Sequence, residues 1–244
     1  MVKRRSMVVG LGALATGSGA VFSSAALQST SASNASFQVY TVQELNVTRG
    51  SSDYDREDNN ISKASDLPQA DVDGDTQGDD LSVNVATKNN ASSQSLAHLL
   101  DVENNGTEPV NVAFGFSTFG SIVVDGDSTN PGDGEVTEDQ VQGMYSFQVN
   151  TSDSSDGINS DNGTDISPGT SNAKDAPQNY KTIPAGETLA VDLVVDAPSE
   201  VVSAINQASD PSGNPFDKES QANTTLVNEI LVGTESDLTS TGNQ

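Results

Sequence analysis

What most constrains this chain is a two-residue alternation of apolar and polar side chains, repeated in short β-branched segments. In Val110-Asn111-Val112-Ala113-Phe114-Gly115-Phe116 the apolar residues fall on alternate positions. Successive side chains of a strand point to opposite faces, so this pattern predicts a strand with one face inward. Leu189, Val191 and Leu193 repeat it, with Asp192 facing out. The strand candidates are Phe37–Thr48, Leu81–Thr87, Leu96–Glu103, Val110–Phe116, Ser121–Val124, Met144–Asn150, Thr188–Val195 and Thr225–Val232. A helical pattern is confined to two turns at Glu200–Ala208, ended by Asp210-Pro211. Short strands without alternating helices predict an all-β fold, an antiparallel jelly-roll-like sandwich. Polar stretches at Gly50–Asp80, Asp125–Asp139 and Thr151–Gln178 exceed ordinary connection lengths and read as long acidic loops on one domain spanning 49–244.

Residues 1–26 have the layout of a secretion signal: basic Lys3-Arg4-Arg5, an apolar stretch from Met7 to Phe22, then small residues. Cleavage after Ala20, Ala26 or Ala35 fits, and Arg4-Arg5 suggests the twin-arginine route. The apolar stretch contains Gly10, Gly12, Gly17 and Gly19 and is short of the roughly 20 apolar residues a spanning helix needs, so no membrane anchor is expected in the mature chain. Gly10-Leu11-Gly12-Ala13-Leu14-Ala15 matches a loose dinucleotide fingerprint, but no strand precedes it.

Charge narrows the partners. The 35 Asp and Glu against 10 Lys and Arg give a net charge of −25, and removing Lys3, Arg4 and Arg5 leaves 7 basic side chains and a charge of −28. Nucleic-acid phosphates and anionic lipid need compensating Lys or Arg, so neither is an expected partner. An excess of Asp (24) over Glu (11) fits a protein adapted to high salt, where the screening length falls to about 3 Å.

Chemistry-bearing motifs are few. Cys is absent, which excludes disulfides, thiolate metal sites and Cys nucleophiles. Asp71-Val72-Asp73-Gly74-Asp75, with Asp79 and Asp80, resembles a calcium loop, because alternate carboxylates on a turn can converge on a hard cation. It is no EF-hand, since Thr76 and Ser82 stand where Gly and Glu belong; a hydrated acidic loop is the simpler reading. No other cofactor is expected. His98 is the single histidine, and no Gly-x-Ser-x-Gly or His-Glu-x-x-His pattern accompanies it. A surface strand histidine is therefore expected rather than a hydrolase centre, and the chain is read as a non-enzyme. Asn34, Asn46, Asn60, Asn90, Asn105, Asn150, Asn162 and Asn223 each begin an Asn-x-Ser/Thr sequon, consistent with N-glycosylation of an exported protein.

Two segments carry a family likeness. Leu99-Leu100-Asp101-Val102-Glu103-Asn104-Asn105-Gly106-Thr107-Glu108-Pro109-Val110-Asn111-Val112 resembles the strand, Asn-Asn-Gly turn and strand of secreted haloarchaeal β-sandwich proteins. Ile183-Pro184-Ala185-Gly186-Glu187-Thr188-Leu189-Ala190-Val191-Asp192-Leu193 resembles their Pro-x-Gly-Glu turn entering a hydrophobic strand. These proteins are similar to the TasA/camelysin biofilm-matrix fibre subunits and to archaeal bundling pili. The resemblance implies a jelly-roll subunit that polymerises head-to-tail by donating an N-terminal strand to its neighbour. On this sequence the donor lies between the new N-terminus and Thr48, at Val21–Leu27 or Phe37–Thr48, with Phe37, Val39, Tyr40 and Val42 as anchors and 27–48 as the N-terminal strand segment. The alternative is that Phe37–Thr48 is the first strand of its own sandwich. The expected function is a secreted, extracellular filament, pilus or biofilm-matrix subunit whose partners are identical subunits. Alternatives are a monomeric cell-surface module binding calcium through acidic loops and a virion coat protein.

Overall fold

The fold was analysed in a computed structural model that describes residues 32–41, 44–52, 69–76, 81–88, 93–120, 123–124, 135–155, 157–158, 162–167, 179–196, 198, 201, 226–234 and 237–238. Two large sheets face each other. The first contains, in spatial order, β10 (Lys181–Ile183), β6 (Val110–Phe119), β12 (Val227–Gly233), β1 (Ala32–Thr41), β4 (Leu81–Lys88) and β3 (Gln69–Asp73). The second contains β2 (Leu45–Arg49), β5 (Gln94–Asn104), β11 (Thr188–Val195) and β9 (Tyr145–Asn150). The protein is an all-β sandwich. Its large sheets are antiparallel throughout except where β1 runs parallel to β12.

The alternation seen in the sequence becomes the core. Leu81, Val83 and Val85 of β4, Phe114 and Phe116 of β6, and Ile230 and Val232 of β12 are buried from the first sheet. Leu189, Val191, Leu193 and Val195 of β11 and Phe147 and Val149 of β9 are buried from the second. Phe114 and Phe147 stack across the layers, ring centroids 4.2 Å apart and planes within 5°. Such a pair adds about 0.5–1.5 kcal/mol beyond the area it buries.

Both open sides of the sandwich are stitched. On one, Thr76, just after β3, donates its backbone N–H to Val47 O (3.1 Å), and its Oγ1 accepts from Val47 N (2.8 Å). On the other, Ile166 donates to Phe147 O of β9 and accepts from Phe114 N of β6, each at 2.8 Å. These bonds occupy edge groups that would otherwise be open to pairing with another chain.

Several expectations shift. Phe37–Thr48 is not one strand: it divides into β1 and β2, which belong to different sheets. The break falls at Glu44, whose φ of 76° is incompatible with a continuing strand. The acidic stretch Gly50–Asp80 contains β3, and Asp125–Asp139 runs into β8 (Val136–Thr137), which pairs in parallel with β7 (Val123–Val124). A short helix, α1 (Glu138–Gln142), follows β8. Thr137 caps it by accepting from Gln140 N while Gln140 Oε1 accepts from Thr137 N. That reciprocal box is written in Thr137-Glu138-Asp139-Gln140. Of the expected helix Glu200–Ala208, only Val201 is described, in a helical state. The signal segment 1–26 lies outside the described residues, among which no helix is long and apolar enough to cross a membrane.

Candidate functional site

The six-stranded sheet is distinguished by the place of β1. It fills the gap between β12 and β4, pairing from Gln38↔Glu229 to Thr41↔Val232 on one side and from Ala32↔Lys88 to Val39↔Leu81 on the other. Val39 is 2 % exposed, and its two register partners, Leu81 and Ile230, are equally enclosed. Without β1, both β4 and β12 would present unpaired backbone groups inside the sheet, which makes the position a ready slot for an extended segment. After β1 the chain passes through residues 42–44 and enters the opposite sheet at Leu45, so a short link follows β1 on its C-terminal side. The link is anchored past the break: Asn105 N donates to Glu44 O at 2.7 Å, and Thr41 Oγ1 donates to Leu45 O at 3.2 Å.

Of the four expected anchors, Val39 is in the core. Phe37 and Tyr40 hold register positions opposite Val83 and Leu231, and Val42 lies outside the described residues. The other donor candidate, Val21–Leu27, also lies outside them.

The outer face of the four-stranded sheet carries a polar constellation that sequence spacing did not reveal. His98 Nδ1 meets Ser51 Oγ at 2.8 Å, and Nε2 meets Asp101 Oδ1 at 2.8 Å. The His98 backbone N–H donates to Asp192 Oδ1 at 2.7 Å, and the same oxygen accepts from Asn150 Nδ2 at 2.8 Å. Asp153 completes the group, its Oδ2 accepting from Asn150 Nδ2 at 3.0 Å and standing 3.8 Å from His98 Nδ1.

A bulge creates this arrangement. Between the Leu96–Leu193 and Leu100–Val191 pairs, β5 uses four residue steps where β11 uses two. His98 sits at the bulge with φ 47°, rare for a residue with a β-carbon. Gly50 makes the close approach possible, because a β-carbon there would fall 2.2 Å from His98 O. The bulge also buries Leu99 and Leu100 together, breaking the alternation. Ser51, His98 and Asp101 form a hydrogen-bonded chain in which the ring nitrogens are interchanged relative to a Ser-His-Asp triad, where Nε2 faces the serine and Nδ1 the carboxylate. The Ser51–His98 bond also fastens the segment after β2 to β5, and Gly50 N donates to Leu99 O at 2.9 Å in the same tie.

The acidic motif is dispersed rather than gathered. Asp71 and Asp73 are in β3, Asp73 exposed at its end. Gly74 turns the chain with φ 84°, Asp75 is half-buried beyond it, and Asp79 and Asp80 lie outside the described residues. Among the described residues no three acidic or imidazole side chains converge as ligands for a metal ion. The sequons separate by environment. Asn105 is exposed in the turn between β5 and β6, Asn162 is exposed, Asn46 is half-buried, and Asn150 is buried. Asn34 is in β1, and Asn60, Asn90 and Asn223 lie outside the described residues. Compared with known proteins, the chain matches no family model, no curated protein and no solved structure.

Proposed function

We propose that this chain is an exported structural subunit that assembles head-to-tail into an extracellular filament, each subunit completing its neighbour's six-stranded sheet with an N-terminal strand. The supporting observation is the central seat of β1 between β12 and β4, with a short link after it leading into the opposite sheet. A slot that the chain can fill with its own β1 can be filled by the same segment of another copy, with identical main-chain bonds and the same pocket for Val39. The stitched flanks at Thr76 and Ile166 favour this route over edge-to-edge pairing. Strand insertion also suits a strongly acidic subunit, because backbone hydrogen bonds and apolar burial carry no charge to repel.

The chain has no cysteine, so an engineered pair reports cleanly. Gln38→Cys with Glu229→Cys places thiols at adjacent register positions of β1 and β12, within reach of a disulfide. Oxidation of assembled material in molar salt, followed by denaturing electrophoresis, should give a ladder of linked chains. Only monomers carrying an internal disulfide, with no filaments by electron microscopy, would overturn the reading.

A further inference from the structure

We propose that the folded protein accepts an N-linked glycan at Asn105 and excludes one from Asn150, although both residues begin complete sequons. The inference rests on the export part of the reading above, since a glycosyltransferase must meet the chain.

Transfer forms a bond between the asparagine Nδ2 and the anomeric carbon of a glycosyl-phosphate carrier. The anomeric C–O bond breaks, the phosphate carrier leaves with its electron pair, and Nδ2 gives one proton to a base of the transferase. The acceptor must therefore present an accessible Nδ2 with a hydrogen to lose, and the product must have room for a sugar.

Asn150 meets neither condition. It is 7 % exposed at the end of β9. Its Nδ2 donates to Asp192 Oδ1 at 2.8 Å and to Asp153 Oδ2 at 3.0 Å, which employs both hydrogens. Its Oδ1 accepts from Ser152 N at 3.0 Å and Asp153 N at 3.2 Å, so the sequon is folded back on its own side chain. A sugar on Nδ2 would remove one of the carboxylate bonds and press into the space beside His98. Asn105 is the opposite case. Asn105 and Thr107 are both exposed on the turn between β5 and β6. The backbone there is held in place by Asn105 N donating to Glu44 O at 2.7 Å and Gly106 N donating to Asn104 Oδ1 at 2.9 Å. The turn thus presents the acceptor without needing to open.

The two sites also report the order of events. A chain that folds before it meets the transferase keeps Asn150 bare. A chain modified while unfolded would acquire a group at Asn150 that the finished sheet cannot hold.

The test uses the purified full chain in molar salt with an oligosaccharyltransferase and a lipid-linked oligosaccharide, followed by glycopeptide mapping. A parallel reaction uses the urea-unfolded chain after rapid dilution. In the folded protein Asn105 should be labelled at least about tenfold more than Asn150, since reaching Asn150 requires local opening. In the unfolded arm the ratio should approach unity, and Asn105→Gln should remove the folded-state label from the glycopeptide that contains this position. Equal labelling of both sites in the folded protein overturns the proposal, and so does absence of label at Asn105. Filament formation plays no part in this readout, so failure of the assembly reading and failure of this one are separable.

Discussion

The two large sheets differ in how their strands are joined, and the difference bears on which layer should open first. The four-stranded sheet is antiparallel throughout, and its strands are cross-tied on the outer face by the contacts of His98, Asp192 and Asn150. The six-stranded sheet has at its centre β1 and β12, the first and last strands described, joined in parallel. One sheet is cross-tied on its outer face; the other is completed at its centre by a strand followed by a short link. A layer of the first kind resists local opening, whereas one of the second kind can lose a strand while the rest persists.

This contrast can be broken experimentally. The largest effect should come from Phe147→Ala, which removes half of the stacked pair joining the layers and leaves a cavity against Phe114. It should cost about 3–5 kcal/mol in chemical denaturation and melt both sheets together. Next, Asp192→Ala strips the acceptor from the His98 N–H and from Asn150 Nδ2 and should cost about 2 kcal/mol. Its loss of hydrogen-exchange protection should be confined to β5, β9 and β11. Val191→Ala and Val39→Ala remove the same two methyl groups from equally buried positions, 1 % and 2 % exposed. The former should lower global stability by about 2 kcal/mol, and the latter by less than half of that, because β1 undocks before the remainder unfolds. Equal costs would make the sandwich one cooperative unit and remove the distinction.

The smallest effect concerns Tyr145 of β9, where burial raises the phenol pKa far above its ordinary 10.0. The folded state keeps this proton where the unfolded state releases it, so stability should be level below about pH 10 and fall above it. Tyr145→Phe should flatten that alkaline slope in thermal melts and change little near neutrality.

Strand positions were legible wherever alternation was clean. Val110–Phe116 and Thr188–Val195 lie within β6 and β11 as expected, because period two is a direct consequence of the pleat. What escaped was structure made by contact between distant segments. β3 and β10 are short and carry Asp71, Asp73 and Lys181, so their composition reads as loop, and their neighbours β4 and β6 make them strands. The capping box before α1 was present in the sequence but was submerged in an acidic run. The split of Phe37–Thr48 depends on the turn at Glu44 and was invisible to a pattern that continues through it. The His98 group was beyond reach for another reason. Ser51, Asp101, Asn150, Asp153 and Asp192 are ordinary polar residues at unrelated spacings, and only the bulge in β5 and the bare backbone of Gly50 bring them together.

The parallel β1–β12 pair has a consequence for synthesis. Its strands pair Gln38 with Glu229, so almost the whole chain intervenes between the two sides of one ladder. Long-range pairing of this kind is slow, because loop closure must be paid before any contact rewards it. During vectorial synthesis β4 emerges early enough to hold one side of β1, but the other side has no partner until the final strand is made. For most of its assembly time the nascent chain therefore carries β1 as a sheet edge. The second ladder of β1 can thus close only once β12 has been made.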